Sequence, residues 1–280
     1  MNRLTVLLLA LFACVAVAPA SAADATNAAS IFADKRLEEA VRQQVFAKRG
    51  TNSPLTAADV VNVSTFNAKG RGITNLAGLE HCKSLASADL AGNQITDLTP
   101  LKGLHQLQYL NLATNRIADL TPLGTIPALQ YIELSWNQIS EVGPLSSLTN
   151  LASLYLGHNR IKTILPLACL ARLVTLHAEF NQLESLGAVG GLRRLSILSV
   201  SHNQITDLAP LAALRAPTYL FLDDNRIQDL APLHTALTND LAGPNNYAPF
   251  VNLYLHGNRL SSKSRKLVTE WKMLGLRVND

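Results

Sequence analysis

Asparagine recurs at positions 93, 115, 137, 159, 181, 203 and 225, an unbroken series of equal steps. A strict 22-residue period means one supersecondary unit repeated, and it excludes most ordinary globular arrangements. An eighth, Asn258, follows after one and a half such steps. Aliphatic residues stand 5 and 3 positions before each Asn and 2 after it, and 8 before it except at Pro217 and Phe250; Leu107, Leu110, Leu112, Asn115 and Ile117 show the pattern complete. In six repeats Pro stands seven positions after the Asn (Pro100, Pro122, Pro144, Pro166, Pro210, Pro232), and Ala188 takes its place in the seventh. The composition agrees with a stacked aliphatic core: aromatics make up only 5 % of the 280 residues.

The stretch from six to two positions before each Asn alternates outward and inward, as a short strand does. Asn93, Asn115, Asn137, Asn159, Asn181, Asn203, Asn225 and Asn258 then form a structural ladder. A buried bend must satisfy its peptide groups, so each amide is expected to bond its own loop and the next coil. Pro fixes φ where the chain turns back, and the return segment is too short for a long helix, so 3₁₀ turns are expected there. No coil can bury its own Leu face; stacked coils share a core and a parallel sheet.

Open ends need covers. Residues 34–48 place Leu37, Ala40, Val41 and Val45 on one helical face, and a second short helix is expected at 56–62 with Thr56 as N-cap. A degenerate first coil follows, with Arg71 where Asn is expected and Ile73 in register. At the far end Ser262–Leu274 suggests a helix with Leu267, Trp271 and Met273 partly apolar, then a strand-like terminus. The extra half-repeat is an insertion within 234–250, where Asn, Pro and Gly predict a turn-rich excursion. The expected division is a signal peptide at 1–22, a linker and helical cap at 23–66, repeats at 67–260 and a C-terminal cap at 261–280.

The signal peptide rests on Arg3, an apolar stretch from Leu4 to Val17, and the small-x-small site Ala20-Ser21-Ala22. It predicts export to the periplasm or the medium, with lipidation at Cys14 as the alternative. No transmembrane anchor is seen. Cys82 and Cys169 stand four repeats apart, roughly 19 Å at the spacing of neighbouring strands. A disulfide needs Cα atoms within about 7 Å, so both are expected to be free.

The motif NQITDLTPL (93–101) and its copies NRIADLTPL, NQITDLAPL and NRIQDLAPL resemble the 22-residue leucine-rich repeats of the bacterial internalins. The AVR-containing helix, SPLTAADV and GITNLAGLEHCKSL (72–85) are similar to their cap region. The resemblance covers about residues 30–275. It implies an α/β leucine-rich-repeat solenoid: a curved right-handed superhelix with a parallel sheet on the concave face and helical caps. It also implies protein binding on that face. Intracellular phosphatase regulators carry similar repeats, but the signal peptide sets this chain apart from them.

The outward positions, six, four and two before each Asn, with the one before it at the rim, carry an unusual set. They hold Tyr109, Tyr131, Trp136, Tyr155, Phe180, Tyr219, Phe221 and Tyr254, eight of the 14 aromatics after residue 22. Strand propensity explains Tyr on strands but not Trp136 and Phe180 at a rim. The same positions hold no Lys or Arg, although the formal net charge is +4. They carry the acids Asp89, Glu133, Glu179, Asp223 and Asp224, and the imidazoles His158, His177, His202 and His256. Exposed aromatics on adjacent strands are what interface anchors look like. The expected partner is a protein or peptide, bound by Tyr109, Tyr131, Glu133, Trp136, Tyr155, His158, His177, Glu179, Phe180, His202, Tyr219, Phe221, Asp223 and Tyr254. Carbohydrate or peptidoglycan stacking, or a periplasmic envelope scaffold, is the second reading.

An acidic face without bases repels phosphate, so no nucleic-acid partner is expected. No nucleophile, base and orienting group assemble, so the chain is read as no enzyme, without cofactor or metal, and monomeric. His158, Glu179 and His202 are near enough in register to converge, the one arrangement that would suit a metal. Imidazoles on the face also suggest pH-sensitive binding.

Overall fold

The structure is a computed structural model that describes residues 29–243 and 249–280. The expected signal peptide, Cys14 and residues 244–248 of the insertion lie outside the described residues. Ten short strands form one open parallel sheet in chain order: β1 (Thr65–Asn67), β2 (Ser87–Asp89), β3 (Tyr109–Asn111), β4 (Tyr131–Glu133), β5 (Ser153–Tyr155), β6 (Thr175–His177), β7 (Ile197–Ser199), β8 (Tyr219–Phe221), β9 (Asn252–Tyr254) and β10 (Arg277–Asn279). From β1 to β8 each strand begins one full repeat after the last, so equivalent residues pair: Tyr109 faces Tyr131, and Glu133 faces Tyr155. The chain is a leucine-rich-repeat solenoid.

The core follows from the repeat. Leu107, Leu110, Leu112, Ile117 and Leu123 are wholly buried, as are their equivalents in the coils on either side. Each such side chain contributes about 2 kcal/mol when removed from water, but only because neighbouring coils supply the cover. Between strands the chain returns through 3₁₀ turns such as Thr99–Leu101, Gly143–Ser147 and Leu165–Cys169, with Pro in the first two positions. The turns pack closely: a Cβ on Gly124 would lie 2.7 Å from the carbonyl oxygen of Pro144 in the next coil.

The eight ladder asparagines behave as one set. Asn137 Oδ1 accepts from Ile117 N at 3.0 Å, and its Nδ2 donates to the carbonyls of Leu112 and Leu134, both at 3.0 Å. Asn258 repeats this with Ile227, Leu222 and Leu255. The amides therefore tie each coil to the one before it; the expected bond to the following coil is not the one made. The reason is directional. The Asn side chain points back along the stack, where the turn of the preceding coil leaves an N–H and a carbonyl unpaired.

Acids four positions after the Asn cap the 3₁₀ turns: Asp97 accepts from Thr99 N and Asp119 from Thr121 N, both at 2.8 Å. Hydrogen bonds from the Thr99 hydroxyl and N–H hold Asp97 below the ordinary carboxylate value of 3.8, and Thr121 does the same for Asp119. A carboxyl lowered on folding stabilises the fold above its unfolded value, and this is lost as pH falls through the folded value. The urea midpoint is expected to fall as pH drops below 3.8. Asp97→Asn with Asp119→Asn keeps the acceptors and should flatten that fall. An unchanged pH profile in the double variant would show that these caps are not what acid breaks.

Helices close both ends. Asp34 caps α1 (Lys35–Arg42) through Arg36 N and Leu37 N, and its other oxygen takes Thr74 N of the first coil at 2.9 Å. Leu37, Ala40 and Val41 are buried; the helix stops at Arg42 because Val45 is extended, though Val45 still reaches the core. The second expected helix shrinks to α2 (Ala57–Val60), with a capping box between Thr56 and Asp59. The insertion departs from expectation: most of it is an α-helix, α3 (Ala231–Ala242), which buries Leu233 and Leu237. α4 (Ser262–Met273) buries Ser264, Val268 and Trp271, leaving Leu267 partly buried and Met273 exposed. Trp271 Nε1 donates to His234 Nδ1 at 3.0 Å, which joins α4 to α3. Cys82 and Cys169 are free, and burial pushes the Cys82 thiol up to about 12. Among the described residues no helix is long and apolar enough to cross a membrane.

Candidate functional site

Parallel pairing turns each repeat position into a row across the sheet. Six positions before the Asn, Tyr109 and Tyr131 are neighbours; four before it, Glu133, Tyr155, His177, Ser199, Phe221 and Tyr254 follow one another. The rings meet. Tyr109 stacks on Tyr131 with centroids 4.5 Å apart, Tyr131 tilts against Tyr155 at 5.3 Å, and Tyr155 stacks on His177 at 4.9 Å. Burial, with Tyr109 and Glu133 nearby, raises the Tyr131 phenol, and burial with Glu133 raises that of Tyr155. Both stay neutral donors at any physiological pH. A second cluster lies beyond β7, where Phe221 stacks on Tyr219 at 5.9 Å and on Tyr254 at 4.5 Å.

The rim forms a separate ladder. Trp136, His158, Phe180 and His202 stack in order at 3.6, 4.1 and 4.0 Å, with planes within 12–14° of parallel. All four have left-handed backbone, φ 54–61°. So do Thr114 and Asp224, while Gly70, Gly92 and Gly257 hold the same position in other coils. The fold demands this conformation because the rim N–H bonds to the next coil, as Trp136 N does to Gly157 O at 2.9 Å. Glycine meets the demand without strain; Trp, His and Phe do not. The glycines at 92 and 257 are the sequence signal for a left-handed rim, and periodicity alone does not reveal it.

His158, Glu179 and His202, near enough in register to converge, do not do so, because Phe180 separates the two imidazoles in the stack. Glu179 instead turns to His177, with Nδ1 3.6 Å from Oε2, while His202 pairs with Asp224 at 3.4 Å. Among the described residues no group of three metal-ligating side chains forms. Burial pushes the Glu179 carboxyl up, but His177, its own backbone N–H and Ser199 outweigh this and hold it below the ordinary value. At 3.6 Å His177 is too far for a hydrogen bond, so the buried Oε2 has no hydrogen-bond partner. The carboxylate lies over Gly157, where a Cβ would come within 2.6 Å of Oε1. Asp223 accepts from His256 N at 2.9 Å and from the Ser201 hydroxyl at 3.3 Å. Glu133 caps its own strand end through Ser135 N at 2.7 Å, and Asp89 does so through Ala91 N.

A family model of leucine-rich repeats in two copies matches residues 83–125 and 127–169. No curated protein matches the chain. Among solved structures, internalin C2 of Listeria monocytogenes is similar at 32 % identity and TM-score 0.69, over 82 % of this chain and 95 % of that one. A second Listeria monocytogenes internalin shares the fold at 24 % identity and TM-score 0.54, over 89 % and 92 % of the two chains. The leucine-rich-repeat ectodomain of a membrane receptor kinase from Arabidopsis thaliana, solved in complex with Casparian strip integrity factor 2, shares it at 20 % identity and TM-score 0.56, over 69 % of this chain and 24 % of that one. With one such relative matched over nearly its whole length at this identity, the chain belongs to the internalin-like bacterial leucine-rich-repeat proteins.

Proposed function

We propose that the protein is an exported recognition module that binds a protein or peptide partner on the concave face of its sheet. The leucine-rich-repeat fold is in general a protein-interaction scaffold. The single observation that carries the reading here is the Tyr109–Tyr131–Tyr155–His177 ladder. Large, semi-rigid amphipathic rings, pre-ordered against one another, lose little entropy when a partner covers them. The rim argues against sugar stacking: its inner ring faces already lie 3.6–4.1 Å from their neighbours, so edges rather than faces are offered. The experiment is capture of a partner by the purified chain, compared with Tyr131→Ala plus Tyr155→Ala. Loss of capture with an unchanged melting curve is the expected result. Capture of the same partner by the variant would refute the concave-face reading.

A further inference from the structure

The two ring ladders are the walls of a trough. Between them runs the row two positions before each Asn, with Ser135 and Gly157 small and Glu179 as its acid; the row continues past the ladder ends through Ala113 on one side and Ser201 and Asp223 on the other. We propose that this trough takes an extended segment of the partner, running along the solenoid axis, with a basic side chain set against Glu179 and Asp223. The inference rests on the concave-face reading and gives that partner a chemistry.

Strain at the rim is the first support. Four successive coils hold bulky rings at a left-handed position that three other coils fill with glycine and two with Thr114 and Asp224, and Trp136 and Phe180 remain 57 % and 43 % exposed. Backbone strain kept for exposed side chains points to function rather than packing. Width is the second. Two residues separate Tyr155 from the rim at His158, a span of at most about 10 Å at about 3.3 Å per residue. An extended chain lies down in such a space, whereas an α-helix with its side chains is about 10–12 Å across. Charge is the third. The face has no Lys or Arg, and a quarter of the Glu179 side chain is open. An arriving guanidinium or ammonium would reach that open part and bring a positive charge that the face itself lacks.

Trp136 is exposed while Trp271, the other tryptophan, is fully buried, so ligand-dependent emission reports the rim. The probes are a dodecapeptide of repeated Arg-Pro-Val, which proline holds extended, and its Glu-Pro-Val counterpart. The cationic peptide is expected to change Trp136 emission on binding, and to bind about tenfold more weakly to Glu179→Gln with Asp223→Asn. Equal binding of the acidic peptide, no binding of the cationic one, or an unchanged affinity in the amide variant overturns the proposal. Partner capture separates the two readings. If capture needs Tyr131 and Tyr155 but ignores the amide variant, the face binds and the basic-segment assignment fails; if it ignores both variants, both readings fail.

Discussion

Asn137→Leu is expected to remove about 3 kcal/mol or more of stability. The amide accepts from Ile117 N and donates to Leu112 O, Leu134 O and, more weakly, Ser135 O. Leucine leaves the Ile117 N–H unpaired between two coils, where each unsatisfied buried group costs about 1–3 kcal/mol. Asn137→Asp keeps the acceptor but turns a carboxylate oxygen toward carbonyls, so it should be no milder. Asn159 and Asn181 make the same bonds from less buried positions and should cost less when replaced. Asn150 is the control: its amide donates to the exposed carbonyl of Pro127 and accepts from the exposed Arg172 guanidinium, and an alanine there should change stability by about 0.5 kcal/mol. Urea unfolding measures all four. Because coils are stabilised by their neighbours, the loss at Asn137 should broaden or split the transition. A loss under about 1 kcal/mol would mean the ladder is not what joins the coils.

The rows of the face are legible in the sequence because a 22-residue period leaves strand register no freedom: once Leu110 points inward, Tyr109 and Asn111 must point out. The Asn ladder is legible for the same reason. What escapes depends on three-dimensional direction. The side of the coil to which Asn137 bonds is fixed by where the previous turn leaves its peptide groups, and no residue type encodes that. Glu179 meets His177 and not the rim imidazoles because ring stacking puts Phe180 between them, while His177 lies on the same strand's inner row. The helix α3 escapes because Gly243, Asn245, Asn246 and Pro249 suggest turns for the whole insertion. Those residues cluster after the helix ends at Ala242, and Pro232 stands in its first turn, where proline is tolerated. Leu233 and Leu237, one turn apart and both buried, carry the helical signal.

Replacing Trp136, His158, Phe180 and His202 together by glycine is expected to leave the melting temperature nearly unchanged and to weaken partner binding at least 100-fold. Each left-handed residue relieved returns about 1–2 kcal/mol, and the freer unfolded chain takes back about 0.5–1 kcal/mol of it. Three ring contacts are lost, at about 0.5–1.5 kcal/mol each, so the stability terms nearly cancel. Binding has no such compensation. Trp136 and Phe180 are exposed rings fixed by their neighbours, and an anchor of this kind costs about 2 kcal/mol or more when removed. Two such anchors amount to roughly a thousandfold in affinity if they act independently, and about 100-fold allows for their coupling through His158. Melting and partner titration of the same variant decide the matter. A fall of more than about 10 °C would mean that the stack supports the coils, because glycine meets the backbone demand without strain. Full affinity in a well-folded variant would mean that the rim lies outside the interface, leaving the tyrosine ladder as the whole of it.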